Sequence, residues 1–290
     1  MKRIAYIVMV ILIVCNVISW SYLFLEKDNL FKVVFFNVGQ GDAIFIETPE
    51  KEQIIIDGGA DYNLVASKIS KIVPFWDKQI DAVVLTHLDS DHMNGLFGVI
   101  EKYKIKNVLW TGKGKEGSEE KLSNWKKLIK REVIENRANE VLVKKGKKII
   151  AENLSLDFLL PEEIKDDKDK NSNEDSLVVR LCYLETCFLF TGDISFNEEK
   201  KLIGENLKAD ILKVSHHGSK YGSSDEFLKS VSPKIAVISV GKNNYGHPDS
   251  GTIERISNVG AKIIRTDMKG DITIYSDGKN YGIVYQKLGE

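Results

Sequence analysis

Apolar residues fall in short runs along this chain, separated by glycine, proline and charged clusters. Phe31-Lys-Val-Val-Phe-Phe36, Ala43-Ile-Phe-Ile-Glu-Thr48 and Gln53-Ile-Ile-Ile-Asp57 read as three strands. The turn-forming stretches Asn37 to Asp42 and Pro49 to Glu52 join them, which predicts an antiparallel meander. The period then lengthens. Asp61 to Ile72 and Met93 to Lys102 read as helices, Ile80 to Leu85 and Ile105 to Trp110 as strands. Leu122, Trp125, Ile129 and Val133 share one helical face, so Ser118 to Arg137 is predicted as an amphipathic helix. Leu154 to Leu160 is a strand and 161–175 a charged surface loop. Ser176 to Tyr183 and Cys187 to Phe190 form a hairpin around Glu185-Thr186. After it, helices (196–203, 224–231, 250–259) alternate with strands (209–214, 235–240). Strands near 262–265, 271–275 and 281–285 close the chain. The fold class is α/β (α+β).

One run is different in kind. From Ile4 to Leu25 the chain is uncharged and mostly aliphatic or aromatic, and a membrane span needs roughly 20 such residues. Lys2 and Arg3 precede it, and Trp20 and Tyr22 lie near its far end, where amphipathic rings favour the interface. The pattern predicts one N-terminal transmembrane helix in a cell membrane, with the N-terminus cytoplasmic and the rest extracytoplasmic. Residues 1–29 are then anchor and linker, and 30–290 a globular domain. The rival is a cleaved signal segment and a secreted protein, but no small-x-small cleavage site is visible. A lipoprotein reading of Cys15 fails on the branched Val14 before it.

Composition adds little. Hydrophobic content of 43% and charged content of 29% in 290 residues suit an ordinary packed domain, and a net charge of −1 advertises no polyanionic partner. Between 112 and 150, Lys and Arg outnumber Glu. That face reads either as a basic rim for phosphate backbones or as a solvated helix surface. Cys182 and Cys187 would sit diagonally across their hairpin, roughly 7–8 Å apart, which is long for a disulfide. They are expected to be buried thiols.

Chemistry concentrates at strand ends. Thr86-His-Leu-Asp-Ser-Asp-His92 directly follows the Ala82 to Leu85 run, and all five histidines lie in three tight groups: His87 and His92, His216 and His217, and His247. Asp57 ends a strand before Gly58-Gly59, and Asp193 ends another after Thr191-Gly192. Asp57 reads either as a support for histidine or backbone hydrogen bonds or as a simple Asp-Gly turn. Nitrogen and oxygen donors of this kind suit zinc or manganese, and they outnumber one tetrahedral shell, so two divalent ions are expected.

These segments resemble the metallo-β-lactamase superfamily. More narrowly, they are similar to the C-terminal hydrolase domain of ComEC-type DNA-internalisation competence proteins. The resemblance is carried by Asn37-Val-Gly-Gln-Gly-Asp-Ala43, Ile56-Asp-Gly-Gly59, Thr86 to Gly95, Thr191-Gly-Asp-Ile194, Val214-Ser-His-His-Gly-Ser219 and Ser239 to Pro248, in the family's order. It implies an αββα sandwich with a binuclear site at its edge. His87, Asp89, Asp91 and His92 would bind metal, Asp193 would bridge, His247 would complete the second ion's ligands, and Asp42 and Asp57 would support them. His216 or His217 would replace a histidine the superfamily carries before Asp193, or would face the substrate phosphate. The many-helix channel of ComEC-type proteins has no counterpart here beyond the single anchor.

The expected activity is therefore metal-dependent hydrolysis of phosphodiesters, a DNA nuclease on the outer membrane face, working beside competence or envelope proteins. Phosphorylcholine-esterase-like action on the cell envelope is the alternative substrate class. A surface binding protein with a relict metal site is the alternative of another kind.

Overall fold

Strands β2 (Ile44–Glu47) and β3 (Gln53–Ile56) are buried on both faces, as near-continuous apolar runs demand. Both faces are covered because the chain builds two sheets packed on each other, each backed by helices. The computed structural model describes residues 6, 9–16, 29–114, 117–162 and 175–286. The first sheet has the order β15-β14-β1-β2-β3-β4-β5-β6 and the second β13-β12-β11-β10-β9-β8-β7. The first adds β1 (Phe31–Phe35), β4 (Gln79–Val84), β5 (Lys104–Trp110), β6 (Asn139–Leu142), β14 (Ile272–Ser276) and β15 (Tyr281–Tyr285). The second holds β7 (Lys148–Ala151), β8 (Leu154–Leu160), β9 (Val178–Tyr183), β10 (Thr186–Phe190), β11 (Ile211–Lys213), β12 (Ile235–Ile238) and β13 (Lys262–Arg265).

The strands β1, β2 and β3 form the predicted antiparallel meander, and β3 to β6 run parallel. Between the sheets lie Phe31, Phe35, Ile46, Phe158, Leu181 and Phe188, with Phe31 stacked 4.7 Å from Tyr183 of the opposite sheet. Helices α1 (Leu64–Ile72), α2 (Ser90–Lys102) and α3 (Glu119–Glu135) cover the outer face of the first sheet, and α4 (Phe196–Leu202), α5 (Asp225–Val231) and α6 (Ser250–Asn258) that of the second. Trp125 of α3 is fully buried and meets Trp110 edge-on. The lysines of α3 at 126, 127 and 130 form its exposed face.

Two expectations need correction. The pattern missed β6 and β7, the edge strands where the chain passes from one sheet to the other. Both are largely exposed and carry polar and charged residues, as edges do, so no apolar run marks them. The hairpin also turns one residue early, at Leu184 and Glu185 rather than Glu185 and Thr186. Cys182 and Cys187 are therefore directly opposed, not diagonal. Their Cα atoms are 4.1 Å apart, and they form a disulfide instead of two thiols. Replacing both by alanine is expected to lower unfolding free energy by about 2 kcal/mol, from opening a short closed loop, read as a lower urea midpoint at unchanged slope.

The expected membrane span is neither corrected nor tested by the described residues. Among the described residues, no helix is long and apolar enough to cross a membrane. The expected span over 4–25 lies mostly outside the described residues, as does most of the 161–175 loop.

Candidate metal centre

The strands that carry the expected site residues bring them to the same edge of the sandwich. There, β3 ends in Asp57, β4 in Thr86-His87, β10 in Asp193, and β11 in His216-His217, while β2 begins just after Asp42.

Asp57 is the support on which the rest is hung. It takes a left-handed backbone, φ 59°, which asparagine and aspartate tolerate best after glycine. Its Oδ1 accepts from the Thr86 amide at 2.8 Å and its Oδ2 from the Thr86 hydroxyl at 2.6 Å. The same Oδ2 lies 2.8 Å from Nδ1 of His92, in the first turn of α2. With Nδ1 held, Nε2 of His92 points into the site. The helix can come this close because Gly58 meets Gly95: a Cβ on Gly95 would lie 1.8 Å from the Gly58 carbonyl oxygen. Asp57→Asn is expected to weaken metal affinity about 10–100-fold, the usual cost of losing a histidine's orienting carboxylate; titration with a competing chelator would measure it.

His216 and His217 follow β11 with φ of 47° and 54°. Left-handed backbone costs a β-carbon-bearing residue roughly 1–2 kcal/mol, and two in succession must be held by their neighbours. The His216 amide donates to Gly192 O at 3.2 Å, and the Ser219 amide to His216 O at 2.9 Å. Nδ1 of His217 is 2.9 Å from Ser239 O, so its Nε2 also enters the site. His87 is oriented through Nδ1, 3.0 Å from the Thr86 hydroxyl.

The Nε2 atoms of His87, His92 and His217 converge on Asp193, and none has a well-formed hydrogen bond. Asp193 Oδ2 stands 3.3 Å from His92, 3.5 Å from His217 and 4.0 Å from His87. Two groupings of donors follow, each with its ligand atoms within 4.8 Å of one another: His87, His92 and Asp193, and Asp91, His92 and His217. Asp42 joins Asp193 and His217 in a further one. Asp89 lies beside the first group, 3.8 Å from His87, and His216 stands 3.8 Å from Asp193 Oδ2 at the partly open mouth.

His247 belongs to none of these groups. Its ring is 5.4 Å from that of His216, one imidazole further out. His247 was expected to complete the second ion's ligands; among the described residues it is His217, its Nε2 3.4 Å from Asp91, that groups with Asp91 and His92.

The electrostatics fit cations. Burial, with His92 beside it, lowers His87 to about 4, leaving a neutral imidazole. Burial opposes the charged form of His92 and His217 too, yet Asp193 with Asp57, and Asp193 with Asp42, raise both. Asp193 and Asp91 are held below the usual carboxylate range by these imidazoles, against burial. The buried carboxylates thus favour positive charge between them, and divalent ions would supply it to donors already aimed.

One residue of the site escaped sequence reading. Lys213, the last residue of β11, is fully buried with its Nζ against Asp42 Oδ2, 3.1 Å from Gly192 O and 3.8 Å from Asp193 Oδ1. A signal existed: a lysine inside the apolar run Ile211-Leu212-Lys213-Val214 of a parallel strand is out of place unless paired.

Comparison with known proteins agrees with this geometry. The model of the metallo-beta-lactamase superfamily matches residues 36–242. ComE operon protein 3 of Bacillus subtilis is 31% identical over 280 residues, 90% of this chain and 35% of that protein. Competence protein ComA of Neisseria gonorrhoeae is 31% identical over 254 residues, 84% of this chain and 32% of that protein. The chain spans about a third of the length of these relatives. Among solved structures, the metallo-beta-lactamase fold protein YhfI of Bacillus subtilis superposes with a TM-score of 0.57 at 13% identity, covering 85% of this chain and 100% of that one. With two helix-backed sheets, histidines and carboxylates gathered at their common edge, and a family match over most of the sandwich, this chain belongs to the metallo-beta-lactamase superfamily.

Proposed function

We propose that this chain is a phosphodiesterase, a nuclease acting on DNA at the extracytoplasmic face of a membrane, with two divalent ions, zinc or manganese. The observation that carries the reading is the convergence on Asp193 of three buried Nε2 atoms that lack a well-formed hydrogen bond. His87 and Asp89 with Asp193 would hold one ion, and Asp91, His92 and His217 with Asp193 the other. Such ions, when bound, neutralise phosphoryl charge and lower the pKa of water toward ~7.

The protein's own groups do the rest. Asp57 fixes His92, Ser239 fixes His217, and Lys213 sets its charge against Asp42 and the Oδ1 side of Asp193. His216 and His247 lie at the mouth, their pKa values lowered by burial. Each is a neutral imidazole that can donate an N–H to a phosphoryl oxygen. Choice of DNA rests on the similarity to competence proteins. The outer face is supported by the Ile4 to Leu25 run behind Lys2 and Arg3, and by the Cys182–Cys187 disulfide, since such bonds persist in oxidising compartments.

The test is to load the full chain, in detergent, separately with zinc and manganese and to offer single- and double-stranded DNA. Metal-dependent cleavage, lost on chelation and in Asp91→Ala, is the expected result. Full metal content and turnover in Asp91→Ala would refute the reading. Bound metal without DNA cleavage would redirect it to envelope phosphoesters.

A further inference from the structure

Phe75 and Trp76 are 78% and 72% exposed, edge-on to each other at 4.9 Å between ring centroids. They lie in the connection from α1 to β4, so their position in the sandwich follows from strand direction. The metal centre gathers at the C-terminal end of β4; the Phe75–Trp76 turn is at its N-terminal end, on the opposite edge. Strands β1, β3 and β4 run the same way, because β1 and β3 both pair antiparallel with β2 and β3 pairs parallel with β4. The chain therefore enters β1, at Phe31, on that same far edge. The two points are three strand spacings apart, roughly 14 Å.

Just before that entry lies the uncharged run from Ile4 to Leu25. Within it, residues 9–16 are helical, and Met9, Ile11 and Leu12 are exposed. Large aromatic rings gain from a bilayer interface, where one side is apolar and the other wet. Exposed Lys71 and Lys78 flank the pair, with reach and charge for lipid phosphates. Asp77, between them, is turned inward: its carboxylate accepts from the Gln53 side chain at 2.8 Å and the Gln79 amide at 3.2 Å.

We propose that Phe75 and Trp76 seat this edge of the domain in the headgroup region of an anionic phospholipid bilayer. It is the same bilayer that holds residues 4–25, so the metal centre opens away from the membrane. The proposal rests on the anchor reading and adds an orientation to it.

The test uses the full chain in phosphatidylcholine–phosphatidylglycerol vesicles, with Cys15→Ser removing the free thiol. An environment-sensitive dye is placed on Trp76→Cys, or on Tyr245→Cys at the opposite edge, where the native side chain is equally exposed. Lipids brominated high in the acyl chain should quench most of the emission at 76, with a blue shift, and leave 245 unchanged. A chain that floats with the vesicles but shows equal, weak quenching at both positions overturns the orientation alone. A chain that does not float overturns the anchor and the orientation together.

Discussion

Asp193→Asn is expected to abolish metal-dependent phosphodiester cleavage while leaving the fold in place. Oδ2 of Asp193 is the carboxylate oxygen common to His87, His92, His216 and His217, at 3.3 to 4.0 Å. Asparagine keeps the shape, and the hydroxyl of Ser176 that approaches the backbone amide at 3.4 Å is untouched. What changes is the charge, and an amide N–H can then face an imidazole nitrogen meant for a cation. Cations at such sites are worth several kcal/mol of transition-state charge stabilisation, so turnover should fall by about 10³-fold or more. Single-turnover cleavage, read beside metal content and thermal unfolding, separates loss of chemistry from loss of structure. Wild-type turnover in this variant would refute the assignment of Asp193 to both ions.

Lys213→Met is expected to have the largest effect on stability, about 3–5 kcal/mol, because it leaves Asp42 and Asp193 buried without their cation. Methionine matches the stem of lysine in volume, so the cost is electrostatic rather than a cavity. Burial pushes the amine toward neutrality, yet Asp42 and Asp193 raise its pKa above the ordinary lysine value. A raised pKa means the contribution is fully present at neutral pH and is lost only in strong base. Urea unfolding of the metal-free chain would measure it. In Asp42→Asn/Lys213→Met the orphaned carboxylate is neutral as well, and a good part of the loss should return, as contacting groups are not additive. Independent, additive losses would show that the pair does not interact.

Much of this was legible beforehand, for identifiable reasons. The apolar runs of β2, β3 and β4 stand out, and the residues just past β3 and β4 share an edge because those two strands run parallel. His87, Asp91, His92 and Asp193 stood out as metal-competent residues at strand ends, and their roles as ligands came from the resemblance to the superfamily. What sequence could not convey was distance between loops. His217 and His247 are both histidines after strands of the second sheet, and only the left-handed turn at His216-His217 shows which Nε2 reaches Asp91. Lys213 was hidden for the opposite reason, since a lysine is expected in water and its partners lie 171 and 20 positions away in the numbering. The disulfide turned on a single residue: moving the turn from Glu185-Thr186 to Leu184-Glu185 changes a diagonal pair into a facing one.

The strand order carries a consequence for how the molecule is made. β14 lies between β1 and β15, so the first strand to be synthesised waits for nearly the last. The Asn37 amide donates to Asp271 Oδ1, 234 residues away. Such long-range pairing makes folding slow, because loop closure must precede its reward. Until residues 272–276 arrive, β1 keeps a bare hydrogen-bonding edge. A nascent chain therefore remains unfinished at its first sheet, a substrate for holding factors and vulnerable to edge-to-edge association, until residues 272–276 emerge.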